Sequence, residues 1–279
     1  MRYIRRSACV LLFLLVPALV FGEADSASPV AASENAAARP AVVIGFVGGF
    51  VKHNNRVHST VQVTEHLRQQ YPADVYVRAF ENHHREQAHQ EILRRLDLDH
   101  NGTLSAEEKK AARIVIFGHS WGASETVALA RKLERDGIPV LLTIQVDSIS
   151  KIGQNDSVIP GNVAEAVNFY QLDGFLHGRR QIRAADPTHT QIIGNIRLDY
   201  KANPISCKQY PWFDRVFMKP HVEIECDAKV WTYVESLIQS KLSPESDNSA
   251  AQQGKRMRSM GAIDFDSYMS SLSPGASTN

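Results

Sequence analysis

Residues 113–123 read RIVIFGHSWGA, and the helical run SETVALARKLER follows at once. The first five side chains form a short, β-branched apolar run of the kind that makes a buried strand. Residues 124–135 then space their apolar side chains at helical intervals and stop before Gly137 and Pro139. Gly118-His119-Ser120-Trp121-Gly122 is all that lies between strand and helix, so the chain must reverse in a tight elbow. Working outward, the same alternation recurs. Residues 41–47 (AVVIGFV), 74–80 (DVYVRAF), 140–146 (VLLTIQV), 166–172 and 192–198 read as strands. Residues 58–70, 86–96 and 229–241 read as helices. Strands alternating with helices predict βαβ units: an α/β fold with a mainly parallel sheet flanked by helices, in a single domain over residues 41–242.

The chain has 279 residues and carries 31 Lys+Arg against 30 Asp+Glu, a net charge of +1. That balance gives no electrostatic footprint for nucleic acid. An apolar share of 43% excludes a wholly disordered chain. Arg2, Arg5 and Arg6 precede an apolar run over residues 8–21, which is shorter than the about 20 residues that span a bilayer. Basic head, short apolar stretch and small residues predict a signal peptide over residues 1–24 and an exported protein, periplasmic or secreted, with no transmembrane span in the mature chain. The alternative is an uncleaved segment that anchors the chain in the membrane. Residues 25–40 are Ala/Ser-rich and predict a flexible lead-in. Residues 243–279 lose periodicity and predict a disordered tail. Beyond the signal peptide two cysteines remain, Cys207 and Cys226, and export predicts that they pair as a disulfide.

The elbow carries a serine flanked at both sides, two residues away, by glycine. A hydroxyl at a sharp strand-to-helix turn is held out of the backbone's path only if those neighbours are tiny. The helix that follows points its unpaired N–H groups at the same spot, where they can hold a developing negative charge. With its preceding strand and the Gly48-Gly49 turn after the first strand, GHSWGA resembles the α/β-hydrolase family, in its lipase- and esterase-like branch, over about residues 42–242.

The resemblance implies a nucleophile, then an acid, then a histidine in chain order. Ser120 takes the first role. Asp147, directly after VLLTIQV, is preferred as the acid, with Asp173 after VNFYQL as its rival. His221, in the loop expected before the last helix, is preferred as the base over His177 and His189. The oxyanion would be held by the Trp121 N–H and by a second donor from the first-strand turn, Phe50 or else Gly49; here Gly48-Gly49-Phe50 departs from the family's usual His-Gly-aromatic. The resemblance implies a serine hydrolase of carboxylic esters, lipid or other small esters being the substrate. Thioester or amide cleavage, and a non-catalytic binding protein on the same fold, are the alternatives.

A second motif is Asp97-Leu98-Asp99-His100-Asn101-Gly102-Thr103-Leu104-Ser105-Ala106-Glu107-Glu108. It resembles a single EF-hand-type loop, inserted just before the nucleophile's strand. Asp97, Asp99 and Asn101 would offer side-chain oxygens, Thr103 its carbonyl, Ser105 a direct or water-mediated contact and Glu108 a bidentate carboxylate, a set suited to Ca²⁺ in a structural role. Arg179, Arg180 and Arg183 are expected on a solvated face, and His83, His84, His89 and His100 at the surface. Trp212 and Phe213 either line a pocket or pack beneath the disulfide loop.

Overall fold

The computed structural model describes residues 41–72 and 75–242, which fall within one compact unit. The expected signal peptide, lead-in and tail lie outside the described residues.

In chain order the elements are β1 (Ala41–Val47), α1 (Ser59–Gln70), β2 (Val75–Glu81), α2 (Arg85–Leu96), α3 (Ala106–Ala111), β3 (Arg113–His119), α4 (Trp121–Arg135), β4 (Val140–Val146), β5 (Val158–Ile159), β6 (Val163–Tyr170), β7 (Arg183–Ala184), β8 (Gln191–Arg197), α5 (Trp212–Phe217), α6 (Lys219–Cys226) and α7 (Ala228–Leu242). Six strands form one sheet in the order β2-β1-β3-β4-β6-β8, every neighbouring pair parallel. β5 and β7 pair separately. The fold is α/β, with a parallel sheet flanked by helices.

Alternation along the strands divides the core in two. Val43, Val115 and Phe117 face α1 and α7, meeting Leu67, Trp231 and Val234. Ile44, Phe46, Ile114 and Ile116 face α2 and α4, meeting Ile92, Val127 and Leu133. Both faces are covered, which is why these strands read as unbroken apolar runs rather than alternating ones. Gly45 lets α1 and β3 close on β1, for a Cβ there would lie 2.9 Å from the Phe117 ring.

Sequence patterning missed α5, α6, β5 and β7, all of eight residues or fewer, too short to show a period. Two surface expectations also need correcting. His89 is buried, with Nε2 2.5 Å from Asp136 Oδ2. Arg179 is half-buried and pairs at 2.5 Å with Asp156, itself fully buried. Of the two alternatives for Trp212 and Phe213, packing beneath the disulfide loop is not met: both stand exposed on α5, where Trp212 borders a cavity with Cys207, Val216 and Val222.

Candidate active site

Ser120 sits between the last residue of β3 and the first of α4 with φ 57° and ψ −125°, a backbone conformation few non-glycine residues adopt. The flanking glycines have a steric reason. A Cβ on Gly118 would lie 2.6 Å from the Gly122 carbonyl, and one on Gly122 would lie 2.1 Å from the Phe46 carbonyl oxygen of β1. The elbow is also tied to the neighbouring strand end: the Ser120 N–H donates to the Val146 carbonyl at 3.0 Å, and the Ile149 N–H to the Ser120 carbonyl at 3.2 Å.

Asp147 leaves the end of β4, also at positive φ (46°), and is fully buried. Its Oδ1 accepts from the N–H of Gly178 at 2.6 Å and of Gln171 at 3.3 Å, and its Oδ2 from the Gln171 amide at 2.8 Å. Gly178 can approach only because it lacks a Cβ, which would fall 2.3 Å from Oδ1. Gln171 is in turn oriented by the Asp173 N–H, which donates to its Oε1 at 2.8 Å.

His221 lies in the first turn of α6, not in a loop as expected; Pro220 precedes it in that turn, and Val222 and Ile224 are buried. Its Nδ1 is 2.6 Å from Asp147 Oδ2 and its Nε2 is 2.9 Å from Ser120 Oγ. A carboxylate already surrounded by donors can only accept, so Nδ1 carries the proton and Nε2 accepts from the serine hydroxyl. Three residues distant in sequence thus form one relay in which a hydroxyl proton can pass to a ring as the oxygen attacks an electrophile.

The rivals stand elsewhere. The Asp173 carboxylate accepts from the Tyr200 N–H at 3.0 Å and faces Arg197. His177 is exposed, and His189 is held at the surface by Asp186 at 2.7 Å. The Cys207 and Cys226 sulfurs lie at disulfide distance, Cα atoms 6.0 Å apart, tying the end of α6 to the segment before α5.

Beside the relay is a buried polar group that the sequence gave no means of finding. The His119 ring lies 4.6 Å from that of His221. His119 Nδ1 is 3.3 Å from Glu225 Oε2, and His58 Nδ1 is 2.6 Å from Glu225 Oε1. Burial pushes the His119 imidazole down to about 4, against the pull of Glu225 in the other direction. Burial works to raise the Glu225 carboxyl, but His119, His58 and His221 outweigh it and hold it below the usual range.

The turn after β1 borders the serine from the other side. A Cβ on Gly48 would lie 2.9 Å from Ser120 Cβ, and the exposed Phe50 ring stands edge-on to Trp121 at 5.5 Å.

The inserted loop gathers oxygens of Asp97, Asp99 and Glu108 within 4.8 Å of one another. Ser105 and Glu108 form a capping box on α3, and the Leu98 N–H donates to Glu108 Oε1 at 2.8 Å, closing the loop end to end. Asp97 Oδ2 accepts from the Gly102 N–H at 3.0 Å, with Gly102 at φ 83°. An all-oxygen donor set of this kind fits a hard divalent cation.

No family model matches the chain, and no curated protein matches it. Among solved structures, the chain is similar to an uncharacterized protein from Pseudomonas aeruginosa at 9% identity and a TM-score of 0.32, over 72% of this chain and 50% of that one. The chain therefore spans about half the length of that structure. No helix among the described residues is long and apolar enough to cross a membrane.

Proposed function

We propose that the protein is an exported serine hydrolase that cleaves carboxylic esters, lipid esters among them. The observation that carries the reading is His221 bridging Ser120 Oγ at 2.9 Å and Asp147 Oδ2 at 2.6 Å. In the first half-reaction Ser120 Oγ bonds to the ester carbonyl carbon while its proton passes to His221 Nε2. Asp147 keeps the Nδ1 proton in place and stabilises the charged ring. The carbonyl π-electrons move onto oxygen, and the N–H groups of Trp121 and of Phe50 or Gly49 donate hydrogen bonds to the resulting oxyanion. Collapse breaks the bond to the alcohol, which leaves with the proton from His221. Water then repeats the sequence on the acyl-enzyme, releasing the acid and restoring Ser120.

In this reading Ca²⁺ is structural. Asp97, Asp99, Asn101, the Thr103 carbonyl, Ser105 and Glu108 would hold it, and its positive charge would offset the repulsion among the loop's carboxylates ahead of β3. The two cysteines at disulfide distance and the N-terminal pattern support export.

The test is covalent. A fluorophosphonate probe should label the folded wild-type protein at Ser120 and should not label Ser120→Ala, whose melting temperature should match wild type. Folded wild-type protein that resists the probe, and hydrolyses no p-nitrophenyl ester, would sink the reading.

A further inference from the structure

One peptide bond next to Ser120 is held by a residue outside the relay. The Val51 N–H donates to the Gly48 carbonyl at 3.1 Å, closing a four-residue turn whose corners are Gly49 and Phe50. The central peptide of such a turn, here the Gly49 carbonyl with the Phe50 N–H, is the unit whose flip separates one turn type from another. Gly49 is at φ 45°, and a Cβ there would meet open space. Phe50 has no positive φ, and flipping the peptide would force its bulky side chain into the left-handed region, so the backbone already leans towards the orientation seen.

Asn82 locks it. Its side-chain amide donates to the Gly49 carbonyl. In a planar trans peptide the C=O and N–H point in opposite directions, so fixing the oxygen fixes the hydrogen. The Phe50 N–H has no acceptor among the described residues. Its two flanks are the groups already placed beside the nucleophile, with Gly48 against Ser120 and the Phe50 ring against Trp121.

Asn82 is itself fixed. It is 4% exposed, follows the last residue of β2, and its carbonyl accepts from Lys151 Nζ at 2.6 Å. Lys151 also pairs at 2.8 Å with Glu125 of α4, which Arg85 holds from the other side at 3.0 Å. The clamp joins the ends of β1, β2 and β4 to the helix that opens at Trp121.

We infer that Asn82 is a positioning residue: by holding the Gly49 carbonyl it aims the Phe50 N–H at the oxyanion, and so selects Phe50 over Gly49 as the second donor. This rests on the serine-hydrolase reading. Because an oxyanion forms only in the transition state, the effect falls on kcat and spares KM.

The experiment compares wild type with Asn82→Leu and Asn82→Asp. Both keep the side chain's size and lose the donor, and both keep the backbone carbonyl that Lys151 holds, so one folded variant is enough. The readouts are kcat and KM for p-nitrophenyl butyrate, the inhibition constant of a phenylboronic acid that forms a tetrahedral adduct on Ser120, and the melting temperature. Losing an oxyanion donor costs about 10²–10³ in kcat elsewhere. Here the donor is misaimed, not removed, and kcat should fall roughly ten- to a hundredfold. KM and melting should change little, and boronate affinity should fall in step with kcat. Unchanged kcat in a folded variant overturns the inference, as does a lower kcat with boronate affinity intact. A wild type that neither turns over ester nor takes the probe overturns the underlying reading, and that result appears before any variant is compared.

Discussion

The ring of His119 lies against the ring of His221 with centroids 4.6 Å apart and planes tilted by 31°. The residue beside Ser120 thus packs directly on the imidazole that faces the serine. His119 is buried and its Nε2 has no hydrogen-bond partner among the described residues, so a proton added there would find no acceptor.

That burial makes stability depend on pH. The folded protein holds His119 at about 4, below its ordinary 6.5, so it resists a proton that the unfolded chain accepts. The contribution is fully present above pH 6.5 and is lost as pH falls towards 4, at about 1.4 kcal/mol for each unit. Melting temperature measured from pH 7 to 5 should decline, and His119→Gln should decline less steeply over the same window. Parallel curves would contradict the assignment. Glu225, held below the usual carboxylate range in part by His119, loses its contribution only as pH falls through the ordinary 4.5, so the two slopes are compared between pH 7 and 5.

The two aspartates predict different outcomes. Asp147→Asn removes the acceptor that fixes the His221 tautomer, and in serine hydrolases built this way such a change costs about 10⁴ in kcat. Asp173→Asn keeps the backbone N–H that orients Gln171 and should retain most activity. Steady-state kinetics on both variants decides the point; equal losses would restore Asp173 as a contender.

Gly122→Ala tests the elbow without touching a reacting group. Its new Cβ would lie 2.1 Å from a backbone oxygen of β1, which no side-chain movement can relieve. A loss on the order of 3 kcal/mol in urea unfolding is expected, well above an ordinary glycine-to-alanine change in a helix.

Calcium should appear as stability. With the loop's carboxylates gathered within 4.8 Å, a bound cation offsets their repulsion. EGTA should lower the melting temperature, and added Ca²⁺ should restore it in wild type but not in Asp97→Ala. Identical melting with and without chelator would leave the loop as a capped turn and nothing more.

Much of this architecture is carried by local pattern. The apolar runs at 41–47, 113–117 and 140–146 and the periodic stretches between them specify the strands and main helices, because burial on both sheet faces leaves a plain mark on composition. The two glycines around Ser120 were equally legible, since a backbone-to-backbone approach tolerates nothing larger. The loop at 97–108 declares its oxygens by spacing alone. Position after the fourth apolar run favoured Asp147 over Asp173 without removing the rival, and the short helix under His221 is too brief to show a period. The Gln171 and Gly178 donors and the Glu225–His58–His119 group were not legible. Each is a contact between segments tens of residues or more apart, and no periodicity records which strand end will meet which helix. Sequence determined the kinds of groups available and the elbow that presents one of them. Only the tertiary structure decided their partners, because hydrogen bonds of 2.6 to 2.9 Å are set by the sheet order that puts the C-terminal ends of β3 and β4 side by side and by the packing that brings His221 of α6 onto them.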